Sequence, residues 1–445
     1  MKKAVPRSIW IGLLLLASVP VWSQVSEITK IGEDKMLTPP PISGQAYPIA
    51  LDSEDHANSL QYGVSFSTSY SDNMLGLTTG HPVSDISYSI GPTIGLDEAT
   101  TRLHWDLRYA PGFTFYQRTS TRNEADHNAS LGFEYRLSPH VTFSARDTFQ
   151  KSSSFFNQPS LSSGNVFGGV QGPNDSIIVP LADRLANFGT IGITYQYARD
   201  DMIGAGGSFS NLNYPDPTQV PGLSDSSSQA GSAFYTHRIS SHNYVGAAYQ
   251  YARLMSFPEQ RDAETQKHSV FLFYTVYPNR RLSLSFFGGP QRSYTVQPAV
   301  ESLGTLAFTF QEWSPAGGVS LDWEGHFISG AFSYSHMLSE GGGLVAAATI
   351  DNVSASIRFQ LTRFITASVS GSYANNNVVG YGPGTNGHTN SAAVGLARQF
   401  GEHFNAQVGY TRLHQTYSVA AIAGVPNTNR EFISFSYVFA RPLGR

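Results

Sequence analysis

The chain has 445 residues, a formal net charge of −4, no cysteine and only 13% charged residues. Charge this sparse, about half the ~25% of an ordinary globular protein, with no basic excess, excludes a nucleic-acid partner. The absence of cysteine excludes disulfide scaffolds and thiolate chemistry, and it suits a chain that crosses an oxidising compartment before it folds.

At the N-terminus, Lys2, Lys3 and Arg7 precede an apolar stretch from Ile9 to Val19, with Val21 and Ser23 just beyond it. A charged start, a short apolar core and a cleavage point after Ser23 predict an exported chain whose residues 1–23 are a signal peptide. Pro20 closes the apolar run well short of the roughly 20 residues a spanning helix needs. Residues 24–57 carry Pro39, Pro40 and Pro41 and no periodicity; they predict a flexible periplasmic tail. Residues 58–445 are left for the folded body.

That body repeats one unit about eighteen times: a run of nine or more residues with apolar side chains at every second position. In the first copy Leu60, Tyr62, Val64, Phe66 and Tyr70 share one face, against Gln61, Gly63, Ser65, Ser67, Ser69 and Ser71. Successive side chains of a strand point to opposite faces, so each strand has one greasy and one small-polar side. Short turns fall near 97–100, 137–140, 199–201, 239–243, 277–280, 323–326, 361–364 and 400–403. Longer Gly/Ser/Asn/Pro connections alternate with them at 73–83, 118–126, 152–186, 211–228, 254–267, 291–311, 338–346, 375–389 and 415–429. Eight short and nine long connections imply 18 strands, within a range of 16–18. The prediction is therefore an all-β, antiparallel, up-and-down transmembrane barrel with short periplasmic turns and long extracellular loops. A soluble sandwich of this size would need charged outer faces, and here the polar faces carry mainly Ser, Thr, Gly, Asn and Gln. Aromatics beside the short turns, such as Tyr135 and Phe143, Trp323 and Phe327, or Phe400 and Phe404, suit a girdle at the headgroup level. Asp147 interrupts the outward face Val141, Phe143, Ala145, Phe149, and is expected at that level too.

The motif Tyr135-Arg136-Leu137-Ser138-Pro139-His140 between paired strands, and the closing stretch Phe435 to Arg445, resemble the outer-membrane β-barrel porins of Gram-negative bacteria. The resemblance covers the whole mature chain and is architectural. It implies a bacterial outer-membrane location among lipid and lipopolysaccharide, and insertion by the barrel-assembly machinery. In this sequence a short tail, Ala440 to Arg445, follows Phe439 where that group ends on Phe.

No cluster with metal-ligand spacing and no nucleophile motif stands out, so neither a metal, a cofactor nor an enzyme is expected; His237, His268 and His336 stand alone in their local sequence. The charged residues with physical content lie on the third to fifth strands. Arg102, Arg108, Arg136 and Arg146 share an inward parity with Asp106 and Glu134. Guanidinium groups stay charged and bind carboxylate or phosphate with two hydrogen bonds. On the wall of a wet pore they would favour anions; paired with Asp106 and Glu134 they would brace the wall instead. The long connection 152–186 holds Phe155, Phe156, Ile177, Ile178 and Leu181, apolar for a solvated loop. It is the third outer loop, and the resemblance implies that it folds inward as a constriction. The expected function is passive diffusion of small hydrophilic solutes, with an anion preference. An export or accessory barrel for an envelope polysaccharide, or a closed adhesin or structural barrel, are the alternatives. A homo-oligomer is compatible with all of these.

Overall fold

The computed structural model describes Met36 and residues 58–76, 81–153, 176, 182–216, 223–257, 262–279, 281–297, 307–343, 345–379, 386–417 and 427–443. The expected signal peptide 1–23 lies outside these residues, as does all of the tail 24–57 except Met36.

The strands are β1 (Ser59–Ser71), β2 (Asp85–Ala99), β3 (Leu103–Tyr116), β4 (Glu124–Ser138), β5 (Val141–Ser152) and β6 (Arg184–Ala198). Next come β7 (Asp201–Asn213), β8 (Asp225–Ser240), β9 (Asn243–Phe257), β10 (Ala263–Asn279), β11 (Leu282–Gln297) and β12 (Phe308–Glu324). The last six are β13 (Ile328–Gly341), β14 (Val345–Thr362), β15 (Ile365–Val378), β16 (Asn386–Phe400), β17 (Phe404–Tyr417) and β18 (Asn427–Pro442). Each pairs antiparallel with its sequence neighbours, and β1 pairs with β18 as well as β2, so the 18-stranded sheet closes on itself. Several strands run further than side-chain alternation alone predicts: β9 reaches Phe257, β11 reaches Gln297 and β13 reaches Gly341. Ladder bonds join backbones, so a strand continues where its side chains no longer report a membrane.

The two faces sort as the alternation predicts. Tyr62, Val64 and Phe66 of β1 are 44–47% exposed on the outside. Inside, hydroxyl pairs stitch neighbouring strands: Ser69 to Ser87 at 2.7 Å, Ser89 to Thr114 at 2.9 Å, Ser333 to Ser354 at 2.8 Å and Ser372 to Ser391 at 2.6 Å. Such neutral cross-strand pairs satisfy each other without charge. Trp313 and Trp323 face outward on β12, ten residues apart, and both are exposed. At ~3.3 Å per residue and a tilt of ~40°, that separation matches an apolar band ~25 Å tall. Near its outer edge, lipid-facing tyrosines hydrogen-bond to polar neighbours: Tyr109 with His127 Nδ1 at 2.8 Å, Tyr249 with His268 Nδ1 at 2.8 Å, and Tyr410 to Asn429 at 2.6 Å. A closed ladder without edges, an apolar outer band and ring-rich margins are what a bilayer demands of a spanning sheet. The protein is a barrel of the bacterial outer membrane.

Asp147 stays on the outward face, where the Asn187 side-chain amide donates to Oδ1 at 3.0 Å. The Phe209 ring covers the neighbouring Gly189, beside the Asp147 carboxylate.

Where the last strand meets the first, Asp72 accepts the Asn429 backbone N–H at 2.8 Å and the Thr428 hydroxyl at 3.2 Å. Burial raises its pKa, but these bonds and that of the Asn429 amide outweigh it and hold the carboxyl below its ordinary value. A carboxyl with a depressed folded pKa stabilises above the unfolded pKa, ~3.9 for Asp, and loses that contribution as pH falls through the folded value. The thermal midpoint of the refolded barrel is therefore expected to fall more steeply below about pH 4 in the native chain than in Asp72→Asn. Parallel pH curves for the two would refute this assignment.

Candidate functional site: the lumen and its constriction

The lumen has two unlike halves. Towards the short turns, inward side chains are accessible: Arg108 and Arg146 are exposed, and Asp106 and Glu134 partly so. Asp106, Gly132 and Arg146 lie side by side across β3, β4 and β5. Glycine leaves a gap there, and the Asp106 carboxylate fills it: a Cβ on Gly132 would stand 2.0 Å from its Oδ1. The acid thus leans across β4 towards Arg146. Arg136 pairs with Glu134 at 3.6 Å on the exposed wall, and His104 lies 3.4 Å from Asp97. Arg102 precedes β3 in the short turn, where its carbonyl accepts the Arg136 N–H at 2.7 Å. Five of the six charged residues singled out in the sequence therefore share one patch of inner wall, and Arg102 sits at its periplasmic rim. Acids and arginines alternate in the patch, so its field is dipolar as well as cationic.

At the same end Met36 packs against Met202 and Tyr244, beside Tyr277, and its N–H donates to Gln196 Oε1 at 3.3 Å. One residue of the N-terminal segment is thereby seated beside the short turns.

The outer half is packed. Inward residues there, including Gln150, Ser152, Gln250, Thr265, Lys267, Gln291, Asn376 and Gln415, are at most 1% exposed. Much of the filling is the β13–β14 hairpin. β12 and β13 pair from Glu324↔Ser329 only as far as Gly317↔His336. Above that, β13 keeps its ladder with β14 up to Gly341 but, among the described residues, none with β12. It turns into the lumen instead. Met337 packs with Phe234, Ala248, Phe271, Phe273 and Ala316. Leu338 and Ala347 pack with Ala252 and Leu254. Burying a side chain of this size is worth ~1.5–3 kcal/mol.

Polar bonds complete the seat. Lys267 Nζ donates to the Leu338 carbonyl at 2.9 Å, and the Leu338 N–H donates to Gln291 Oε1 at 3.4 Å. The Ser210 hydroxyl donates to Glu340 Oε2 at 3.2 Å. At the tip the Tyr214 hydroxyl donates to the Gly342 carbonyl at 3.0 Å, and the Ser224 N–H to the Gly343 carbonyl at 2.8 Å. The turn needs its glycines: φ is +60° at Gly342 and +84° at Gly343, and a Cβ on Gly343 would stand 2.5 Å from the Tyr214 ring. The hairpin thus reaches from β13 across the lumen to the β7–β8 side.

A second contact lies on the opposite side. Ser176, in the long connection between β5 and β6, donates its hydroxyl to Asn376 Oδ1 at 3.0 Å, and its carbonyl accepts the Thr389 hydroxyl at 2.8 Å. Both partners are inward residues, on β15 and β16. The constriction candidates Phe155, Phe156, Ile177, Ile178 and Leu181 lie outside the described residues.

The alternation alone misses Lys267, Gln291, Leu338 and Glu340, because it places all four positions in connections. A signal was present on β10. Val270 to Tyr274 is apolar at every position, so one parity had to face inward. Val270 and Leu272 are exposed outside, while Phe271 and Phe273 are buried inside. The same parity carries Lys267 into the lumen. The three histidines each have a partner across a strand: His237 with Asp201 at 2.8 Å, His268 with Tyr249 at 2.8 Å and His336 with Asp351 at 2.6 Å. All three pairs are on the outer face.

No protein-family model matches the chain, and no curated protein matches it. Among solved structures it is similar to OccAB4 of Acinetobacter baumannii, at 9% identity and a TM-score of 0.41, covering 86% of this chain and 99% of that one. OccK2 (OpdF) of Pseudomonas aeruginosa gives 8% identity, a TM-score of 0.43 and coverages of 86% and 98%. The ferric citrate transporter FecA in its unliganded form gives 8%, 0.42, and coverages of 87% and 80%. Likeness this distant carries neither a solute nor a mechanism to this chain.

Proposed function

We propose that the protein is a channel for passive diffusion of small hydrophilic solutes across the outer membrane. The observation that carries this reading is the wide inner wall: an 18-stranded barrel encloses an aqueous lumen unless something fills it, and its periplasmic half leaves Arg108 and Arg146 exposed. Solutes are sorted by size at the β13–β14 hairpin and by charge along the Asp106–Arg146 patch. Arg108, Arg136 and Arg146 outnumber Asp106 and Glu134 there, which gives a modest preference for anions and a way to orient dipolar solutes. Residues 1–23 direct export and are removed, and residues 24–57 form a periplasmic tail held at Met36. The barrel is inserted by the barrel-assembly machinery and surrounded by lipid and lipopolysaccharide, alone or as a homo-oligomer.

Swelling of proteoliposomes in solutes of matched size and different charge tests the selectivity. Arg108→Ala together with Arg146→Ala is expected to slow anionic solutes relative to neutral ones by roughly two- to five-fold, the scale of removing two partly screened charges from a pore wall. Equal rates for anions and neutral solutes before and after the substitutions would remove these arginines from the mechanism.

A further inference from the structure

We infer that the unpaired upper edge of β12 is a second seat for β13, so that the β13–β14 hairpin moves between the lumen and the barrel wall. The consequence for solute flow rests on the channel reading above; the strand transfer does not.

The free edge is the starting point. Among the described residues, β12 from Phe308 to Ala316 is paired on one side with β11 and on the other with nothing. An unpaired strand edge presents a row of N–H and C=O groups ready to accept another strand, and its lowest part, Trp313 to Ala316, lies at the edge of the apolar band, where such groups are costly. The segment that would fill it is next to it. Extending the existing register places Met337 opposite Ala316, then Leu338 opposite Pro315, Ser339 opposite Ser314, Glu340 opposite Trp313 and Gly341 opposite Glu312.

Side-chain chemistry fits that second seat. Met337 keeps its inward parity beside Ala316. Leu338 turns outward to lipid. Glu340 arrives beside Trp313, whose other neighbour is Arg292, at the outer margin.

The fork also has a local cause. Pro290 and Pro315 lie opposite each other on β11 and β12, and neither has an N–H to give. The ladder is thereby weakened just where β13 departs. Gln291 occupies the fork: its Oε1 accepts the Leu338 N–H at 3.4 Å while its amide donates to the Ser314 hydroxyl at 3.3 Å. It supplies to β13 one of the bonds β12 would otherwise make. In the lumen seat the Leu338 N–H and carbonyl thus have side-chain partners, Gln291 and Lys267, in place of a strand, so leaving the wall costs β13 less there, the condition for two arrangements close in free energy. Transfer to the wall would also uncover Lys267, now fully buried against the Leu338 carbonyl, and present its ammonium to the open lumen.

The chain has no cysteine of its own, so a Glu312→Cys/Gly341→Cys double variant reports the transfer directly. Gly341 now adjoins the tip held by Tyr214, between β7 and β8 and so four to five strands round the barrel from β12, and meets position 312 only in the wall seat. In outer membranes under mild oxidation the double variant is expected to form an intramolecular disulfide, and neither single variant should. In planar bilayers the oxidised form should conduct at least about two-fold more than the same protein reduced, since the lumen is then clear of the hairpin. A folded, heat-modifiable double variant that stays reduced overturns the transfer, as does one that links only into dimers through the β12 edge of a second copy. A disulfide that leaves conductance unchanged overturns the gate. If the disulfide forms and neither state conducts, the strand transfer stands and the channel reading falls.

Discussion

Replacing residues 338–349 by an Asn-Gly turn, which joins the paired Met337 and Ile350 and removes the Leu338 carbonyl from Lys267, is expected to raise single-channel conductance several-fold while leaving the barrel folded. The hairpin contributes nothing to the closed ladder above His336 on its β12 side, so removing it breaks no bond of that seam. Asn-Gly is the two-residue turn whose backbone twist matches antiparallel strands. What the change removes is the packed bridge from β13 to Tyr214 and Ser224. What it leaves is a wall of Ser, Thr and Gln with Lys267 facing water. Conductance scales with the open cross-section and with the lining charge, so anion preference should rise together with conductance. Unchanged conductance in a folded protein would mean that solutes are held up elsewhere, with the contacts of Ser176 to Asn376 and Thr389 the first place to look.

The second large effect belongs to one glycine. Gly289→Ala would place a Cβ 1.9 Å from the Val270 carbonyl oxygen and 3.2 Å from the Phe271 Cα. The obstacle is backbone, so no rotamer relieves it, and β10 and β11 must part. Overpacking of this kind costs ~1–3 kcal/mol. Here the shift also moves Phe271, on which Met337 rests. The expected result is a lower unfolding midpoint together with a looser hairpin and higher conductance. Gly288→Ala is the control: its Cβ would meet only the Ala316 carbonyl oxygen, at 3.7 Å, and should leave both quantities unchanged. Equal behaviour of the two variants would show that the close approach at Gly289 is not a constraint.

The barrel itself was legible because its physics is periodic. Tyr62, Val64 and Phe66 against Ser65, Ser67 and Ser69 state the two faces, and alternation of short and long connections states the strand number and the direction of each strand. The parity of Arg108, Arg136 and Arg146 with Asp106 and Glu134 was legible for the same reason. The constriction was not. Nothing in the side chains of Ile328 to Gly341 says where β13 stops pairing with β12, because the choice of partner is made by backbones. The only local hint is Pro315, a residue without a donor in a strand that should be central. Lys267 and Gln291 were hidden by a different effect. Their strands rise beyond the apolar band, where the outward side chains become polar (Glu264, Gln266, His268, Arg292) and alternation fades. A strand whose two faces are both polar reads as a loop.

The Asp106–Gly132–Arg146 row illustrates how one residue type changes a neighbour's role. Were position 132 any larger residue, the carboxylate of Asp106 would be turned away from Arg146, and the patch would separate into an acid and a base column. Glycine lets the acid cross a strand. The wall is thereby braced and polarised by the same groups, which suits a lumen that orients solutes without binding them tightly.

On the proposed reading this barrel conducts, with its outer half narrowed by its own hairpin. Single-channel recording of the purified, refolded native protein in a planar bilayer tests it most directly. Small, stable conductance steps favouring anions are expected, with excursions to a larger level when the hairpin leaves the lumen. A correctly folded barrel that stays electrically silent at every applied potential would contradict it.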